Sequence, residues 1–155
     1  MSDAEMIERL RRIGWRGEAR PAAGRELARV VAQHRTGYEL HDGERSFGAQ
    51  PAGQFLKRGI DPAERPAVGD FVEIEPGQPP HIVTVLPRRS VLSRAAAGER
   101  YARQLIATNI DYVLVLTGLD GDYNPARIER YLSLIDDSGA RPVVLLSKPD
   151  LHDDA

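Results

Sequence analysis

Cysteine is absent from the 155 residues, which excludes a disulfide framework or a thiolate metal site within them. Long apolar runs are missing too: no stretch approaches the roughly eighteen residues that a membrane-crossing helix needs. The opening "MSDAEMIERLRRIGW" carries acids and lacks the apolar centre of a signal peptide, so a cytoplasmic protein with no membrane partner is expected. There is no basic excess. Lys and Arg number 21 against 23 Asp and Glu, a net charge of −2, so any contact with nucleic acid has to come from local patches. His34, His41, His81 and His152 are scattered with no i/i+3 or i/i+4 pair, and no metal site is expected. No Ser-His-Asp or Cys-His arrangement stands out, so no residue is assigned a catalytic role. Internal repeats and low-complexity tracts are also lacking.

The composition, 41% hydrophobic and 28% charged, is that of a soluble globular protein. The length allows one ordinary domain, or a small domain plus part of another. Most of the 11 prolines and 14 glycines precede residue 100, which points to short strands and turns there. Residues 1–23 read as an N-terminal amphipathic helix and tail, with Met6, Ile7, Leu10 and Ile13 at helical spacing. Residues 24–90 carry five strand candidates: "ELARVVAQH", "YELHD", "ERSFGAQ", "FVEIE" and "HIVTVLP". Ala28, Val30 and Ala32 share one face, as do Val72 and Ile74. Three strands, a long connection and two more suit a five-stranded barrel of the oligonucleotide/oligosaccharide-binding (OB) kind. An SH3-like barrel is the nearest rival.

Residues 91–109 read as a basic linker, partly helical, and residues 110–155 as the start of an α/β domain. "DYVLVLTG" and "RPVVLLS" are apolar runs of the kind buried in a parallel sheet. Between them, Asn124 is a good N-cap, Pro125 fits the first helical position, and Ile128, Tyr131, Leu132 and Ile135 form one face. Gly139 is placed to end that helix. The result is a strand-helix-strand crossover. Two strands and one helix cover a sheet poorly, so this half looks incomplete.

In such sheets ligands sit beyond the carboxyl ends of the strands. Ser147-Lys148-Pro149-Asp150 lies there. A fixed Asp150 carboxylate would accept two parallel hydrogen bonds from the ring N–H and exocyclic amino group of guanine, a donor pair adenine does not offer. The stem of Lys148 would cover the base while its ammonium stays wet. Ser147 would hold neighbouring loops. The competing reading is an ordinary polar turn after a strand. Two other matches are set aside. "GAQPAG" has phosphate-loop glycine spacing, but Gln54 and Phe55 follow it and no helix begins there. Asp136 to Gly139 matches Asp-x-x-G, but Gly139 already has a helix to end.

A nucleic-acid surface is the second possibility. Arg88, Arg89, Arg94, Arg100 and Arg103 stand against Glu99 alone over residues 88–103. Lys57 and Arg58 add a second basic spot in the long barrel loop, where such barrels hold ligands. Phe71, out of register with Val72 and Ile74, is either an outward stacking platform or part of a second minor core. Glu73 and Glu75 would share its face and repel phosphate. For the arginine run, the alternative is a solvated linker.

Taken in order, "RPAVGDFVEIE", "HIVTVLPRRSVLSR" and "IATNIDYVLVLTGLDGDYNPARIERYLSLIDDSGARPVVLLSKPDL" resemble the ribosome small subunit-dependent GTPase A family over residues 24–152. The resemblance implies an all-β five-stranded OB-fold barrel followed by the beginning (βαβ) of an α/β P-loop-type GTPase domain. That domain is circularly permuted, so its guanine reader precedes its phosphate loop. It implies binding of GTP or GDP, with Ser147, Lys148, Pro149 and Asp150 as the guanine-specificity element. Ser147 stands where Asn or Thr is usual, which leaves the base choice intact and puts loop anchoring in question. It implies as partners the small ribosomal subunit and its rRNA late in maturation, with Lys57, Arg58, Arg88, Arg89 and Arg94 as the candidate RNA contacts, and a monomer. Magnesium and zinc are expected only with segments beyond these residues, since the phosphate loop, switch segments and zinc ligands match nothing here. These residues alone are therefore expected not to hydrolyse GTP. A stand-alone OB-fold nucleic-acid module without a nucleotide site, and a small regulatory α/β protein whose Ser147–Asp150 is only a turn, remain as alternatives.

Overall fold

A computed structural model describes residues 3–17, 20–95 and 103–151. Five strands close into a barrel: β1 (Glu26–His34), β2 (Gly37–His41), β3 (Ser46–Pro51), β4 (Phe71–Glu75) and β5 (His81–Val85). Their order around the barrel is β1-β2-β3-β5-β4, with β1 pairing both β2 and β4, and β3 pairing β5 in parallel. This is the OB arrangement, and the SH3-like alternative falls away. A bulge between Val30 and Ala32 shifts the β1–β2 register just past the stretch, Glu26–Arg29, that pairs with β4. Ala28, Val30, Leu40, Val72, Ile74 and Ile82 fill the interior, each at most 2% exposed. Phe55, from a short 3-10 turn over Gly53–Leu56, is buried against them.

Helix α1 (Asp3–Arg12) lies against the outside of the barrel. Met6 and Leu10 from its apolar face, with Trp15 beyond it, meet Leu27, Phe71 and Leu86 in a second core. Phe71 is only 3% exposed and its ring is 4.8 Å from that of Trp15. It is not an outward stacking platform, because α1 covers the face that alternation left open. Glu73 does not face solvent either: at 9% exposed it accepts from the Ala22 N–H at 3.1 Å and pairs with Arg25 at 3.0 Å.

Burial pushes the Glu73 carboxyl up, but hydrogen bonds from Ala22, Thr84 and Arg25 outweigh it and hold the group below the ordinary glutamate range. A depressed carboxyl contributes stability above its unfolded value, about pH 4.3, and that contribution is lost as pH falls through the folded value. Glu73→Gln is therefore expected to flatten the acid limb of a urea-midpoint profile between roughly pH 3 and 5. A parallel downward shift at every pH would show that the lost contacts do not act through ionisation.

The segment read as a partly helical linker is instead an antiparallel ribbon, β6 (Val91–Ala95) with β7 (Arg103–Thr108). Of its three helix-like alanines, Ala95 ends β6, and Ala96 and Ala97 lie outside the described residues. Then come β8 (Tyr112–Gly118), α2 (Pro125–Asp136) and β9 (Arg141–Ser147), with β8 and β9 parallel and in register from Tyr112/Arg141 to Gly118/Ser147. The Asn124 side chain caps α2 by accepting from the Arg127 N–H, and Gly139 follows the helix at φ +81. α2 covers one face through Ile135, packed with Val115, Ala140 and Leu92. The other face is bare: Leu114 and Leu116 are 64% and 70% exposed. No helix among the described residues is long and apolar enough to cross a membrane.

Candidate functional site

Barrel and α/β unit meet at a polar knot. Asp70, fully buried at the start of β4, takes two bonds from Arg88, Nε to Oδ1 at 2.7 Å and Nη2 to Oδ2 at 2.6 Å. It also accepts from the Ala67 N–H at 2.8 Å and the Thr108 hydroxyl at 2.6 Å. Arg88 donates further to the carbonyls of Arg65 and Ala63. Beside it the Asn109 amide donates to the Gly69 carbonyl, and its Oδ1 accepts from the Arg89 N–H. Gly69 sits at φ +96, and a Cβ there would lie 2.0 Å from the Thr108 carbonyl oxygen.

The candidate base-reading loop stands at the far, carboxyl end of β8 and β9. Ser147 closes β9: its carbonyl accepts from the Leu119 N–H at 2.8 Å and its hydroxyl donates to the Thr117 carbonyl at 3.2 Å. Those two bonds tie the loop to the end of β8. Lys148 then adopts a left-handed backbone at φ +56, which turns the chain into a 3-10 turn over Pro149–Leu151. Its ammonium is held by the carboxylate of Asp120, whose other oxygen accepts from the Asp122 N–H at 3.0 Å. The Lys148 hydrogen bond, first, and that turn contact hold the Asp120 carboxyl below the ordinary range, and the same pair raises Lys148. Both stay charged at neutral pH. Asp150 is exposed, with no hydrogen-bond or ion-pair partner among the described residues. Its acceptors are free for a pair of donors. Asp120 escaped sequence reasoning; the signal was an Asp-Gly-Asp turn at the end of an apolar strand, which reads only as punctuation.

The basic candidates do not form one surface. Lys57 and Arg58 are exposed and line a shallow groove of about 460 Å³ with Phe55, Ile60 and Glu64. Arg94 lies on the ribbon and bonds Gln104 across it at 3.1 and 3.2 Å. Arg89 reaches Asp111 at 3.4 Å. Arg88 is committed to Asp70 and two carbonyls. Arg100 and the Arg103 side chain lie outside the described residues. Neither rejected motif is a phosphate cradle: Gly48–Gly53 ends β3, and Asp136–Gly139 ends α2. The described residues do not fit a resident metal, since no three His, Asp or Glu gather as ligands among them.

Residues 85–155 match the model of the RsgA GTPase family. The small ribosomal subunit biogenesis GTPase RsgA of Xanthomonas campestris pv. campestris (strain B100) is 50% identical over 124 residues, 79% of this chain and 33% of that protein. The protein of the same name from Xylella fastidiosa (strain M12) is 46% identical over 125 residues, 80% of this chain and 37% of its own. Thus the chain spans about a third of the length of the curated relatives it matches. Among solved structures, YjeQ from Thermotoga maritima superposes with a TM-score of 0.61 at 22% identity, over 84% of this chain and 44% of that one. YloQ, described as a circularly permuted GTPase, gives 0.58 at 18% identity, over 88% and 46%. Those two likenesses show the fold.

Proposed function

We propose that this chain, which belongs to the RsgA GTPase family, reads guanine through Ser147–Asp150 and contacts small-subunit rRNA through its basic residues. On this reading it is the amino-terminal part of a cytoplasmic, monomeric GTPase that acts in maturation of the small ribosomal subunit, and GTP or GDP is its ligand. One observation carries the proposal: an unpartnered carboxylate stands at the carboxyl end of two paired parallel strands, on a loop fixed by Ser147 and by the Lys148–Asp120 pair. A carboxylate accepts two parallel bonds from guanine and only one from adenine, so the loop selects as well as binds. Magnesium and zinc would be held by segments other than these residues.

The same reading limits what the residues do alone. Phosphoryl transfer needs a cradle for the β/γ-phosphates and charge stabilisation at the transferred group. The described residues contain neither, so the 155-residue chain is expected to release no phosphate from GTP above a protein-free blank. In an amide ¹⁵N–¹H titration, GDP is expected to move the signals of Ser147, Lys148, Asp150 and Leu151 and ADP to leave them in place. Equal response to both nucleotides, or clear turnover, would overturn the proposal. The closed barrel favours a second reading, a nucleic-acid module without a nucleotide site, which predicts RNA binding and no response to GDP.

A further inference from the structure

A cleft of about 210 Å³ lies where the connector after α1, the start of the ribbon and the start of the α/β unit come together. Three arginines far apart in sequence line it: Arg16 from the connector, Arg89 from the segment before β6, and Arg141 from the first position of β9. One carboxylate answers them. Asp111 is 3.3 Å from Arg16 and 3.4 Å from Arg89, both long for charge-assisted hydrogen bonds. The Arg141 side chain has no hydrogen-bond or ion-pair partner among the described residues. Arg29 lies outside that lining: it donates to the carbonyls of Ile13 and Asn109 and sits over the Phe71 ring, and it shares the Asp111 counter-charge while Arg89 repels it.

Backbone contacts fix two of these arginines, Arg89 and Arg141, at the wall of the cleft, and the exposed Arg16 side chain reaches in from the connector. The Arg141 N–H donates to the Asp111 carbonyl at 2.9 Å, and the Arg89 N–H to Asn109 Oδ1 at 2.9 Å. The Ser90 hydroxyl exchanges bonds with Ile110 on the same wall. Cations held close with one counter-charge repel one another, and an oxyanion entering the cleft would relieve that repulsion. Guanidinium forks match the oxygens of a phosphate group, and the volume is about seven times the roughly 30 Å³ a water molecule occupies.

We propose that this cleft binds a phosphate group, either a phosphodiester of an RNA backbone or a free phosphate. The RNA source rests on the function proposed above; the anion site itself does not. It places the contact between barrel and α/β unit, where bound RNA would touch both.

The test follows arginine Nε–H signals of the ¹⁵N-labelled 155-residue chain. Inorganic phosphate is one titrant, and an oligoadenylate RNA of about twelve nucleotides, at about 50 and 200 mM KCl, is the other. Phosphate is expected to move Arg16, Arg89 and Arg141 while Arg45, on an exposed hairpin turn, stays in place. Arg141→Ala, which leaves both Asp111 pairs intact, is expected to weaken either ligand about fivefold and to lower the RNA salt slope by about 0.7. Arg141→Lys should recover part of this. A response to phosphate but not to RNA supports the site and removes RNA as its ligand. No response to either, or an equal response at Arg45, overturns the proposal.

Discussion

Asp70→Ala is expected to lower the unfolding free energy by about 3–5 kcal/mol, because removing one member of a buried ion pair leaves the other uncompensated. Asp70 is fully buried and Arg88 only 14% exposed, so water cannot replace the lost partner. The aspartate also satisfies the Ala67 amide and the Thr108 hydroxyl, which would be left without that acceptor. Urea denaturation measures the effect as a lower midpoint at unchanged slope. The double replacement Asp70→Leu with Arg88→Met is expected to cost less than Asp70→Ala, since apolar substitutes remove the stranded charge. A loss under about 1 kcal/mol for Asp70→Ala would mean that the knot is wet and weak. The same reasoning redirects the RNA question. Arg88→Ala tests folding, whereas replacements of Lys57, Arg58, Arg89, Arg94 and Arg141 test binding.

How much of this was legible in the sequence depended on whether the determinant was local. The five barrel strands, the Asn124 cap and the β8-α2-β9 order were readable, because periodicity, caps and turn residues act over a few positions. The ribbon was not. β6 and β7 are each paired on a partner across residues 96–102, and the alanines between them advertise helix to any local rule. Of the two readings of Phe71, the second minor core is the one the structure shows; local alternation could not decide it, because α1, far back in the chain, supplies the layer that buries the ring. Arg88 looked like a free cation because its carboxylate partner lies eighteen positions back, at no recognisable spacing. The Ser147–Asp150 loop was visible as a motif. What the sequence withheld was Asp120, which becomes a neighbour of Lys148 only once the parallel strands bring their carboxyl ends together.

Asp150→Asn is expected to invert the base preference of the loop, not merely weaken it. Guanine offers two donors, N1–H and the 2-amino group, and a carboxylate accepts both. An asparagine keeps one acceptor and turns the other position into a donor, which meets the guanine amino group donor to donor. Xanthine carries a carbonyl at that ring position, so it presents one donor and one acceptor to the amide. Affinity for GDP is expected to fall roughly ten- to a hundredfold, the worth of one bidentate base contact, while xanthosine diphosphate gains by a comparable factor. The exposed position of Asp150 keeps the change from disturbing the fold: no hydrogen bond of the described residues depends on its side chain, and Ser147 and Lys148 retain their own partners. Comparative titrations of the two proteins with the two nucleotides give the answer. A turn residue without contact to the base would lose affinity for both nucleotides alike or for neither, and either result would remove Asp150 from the reader.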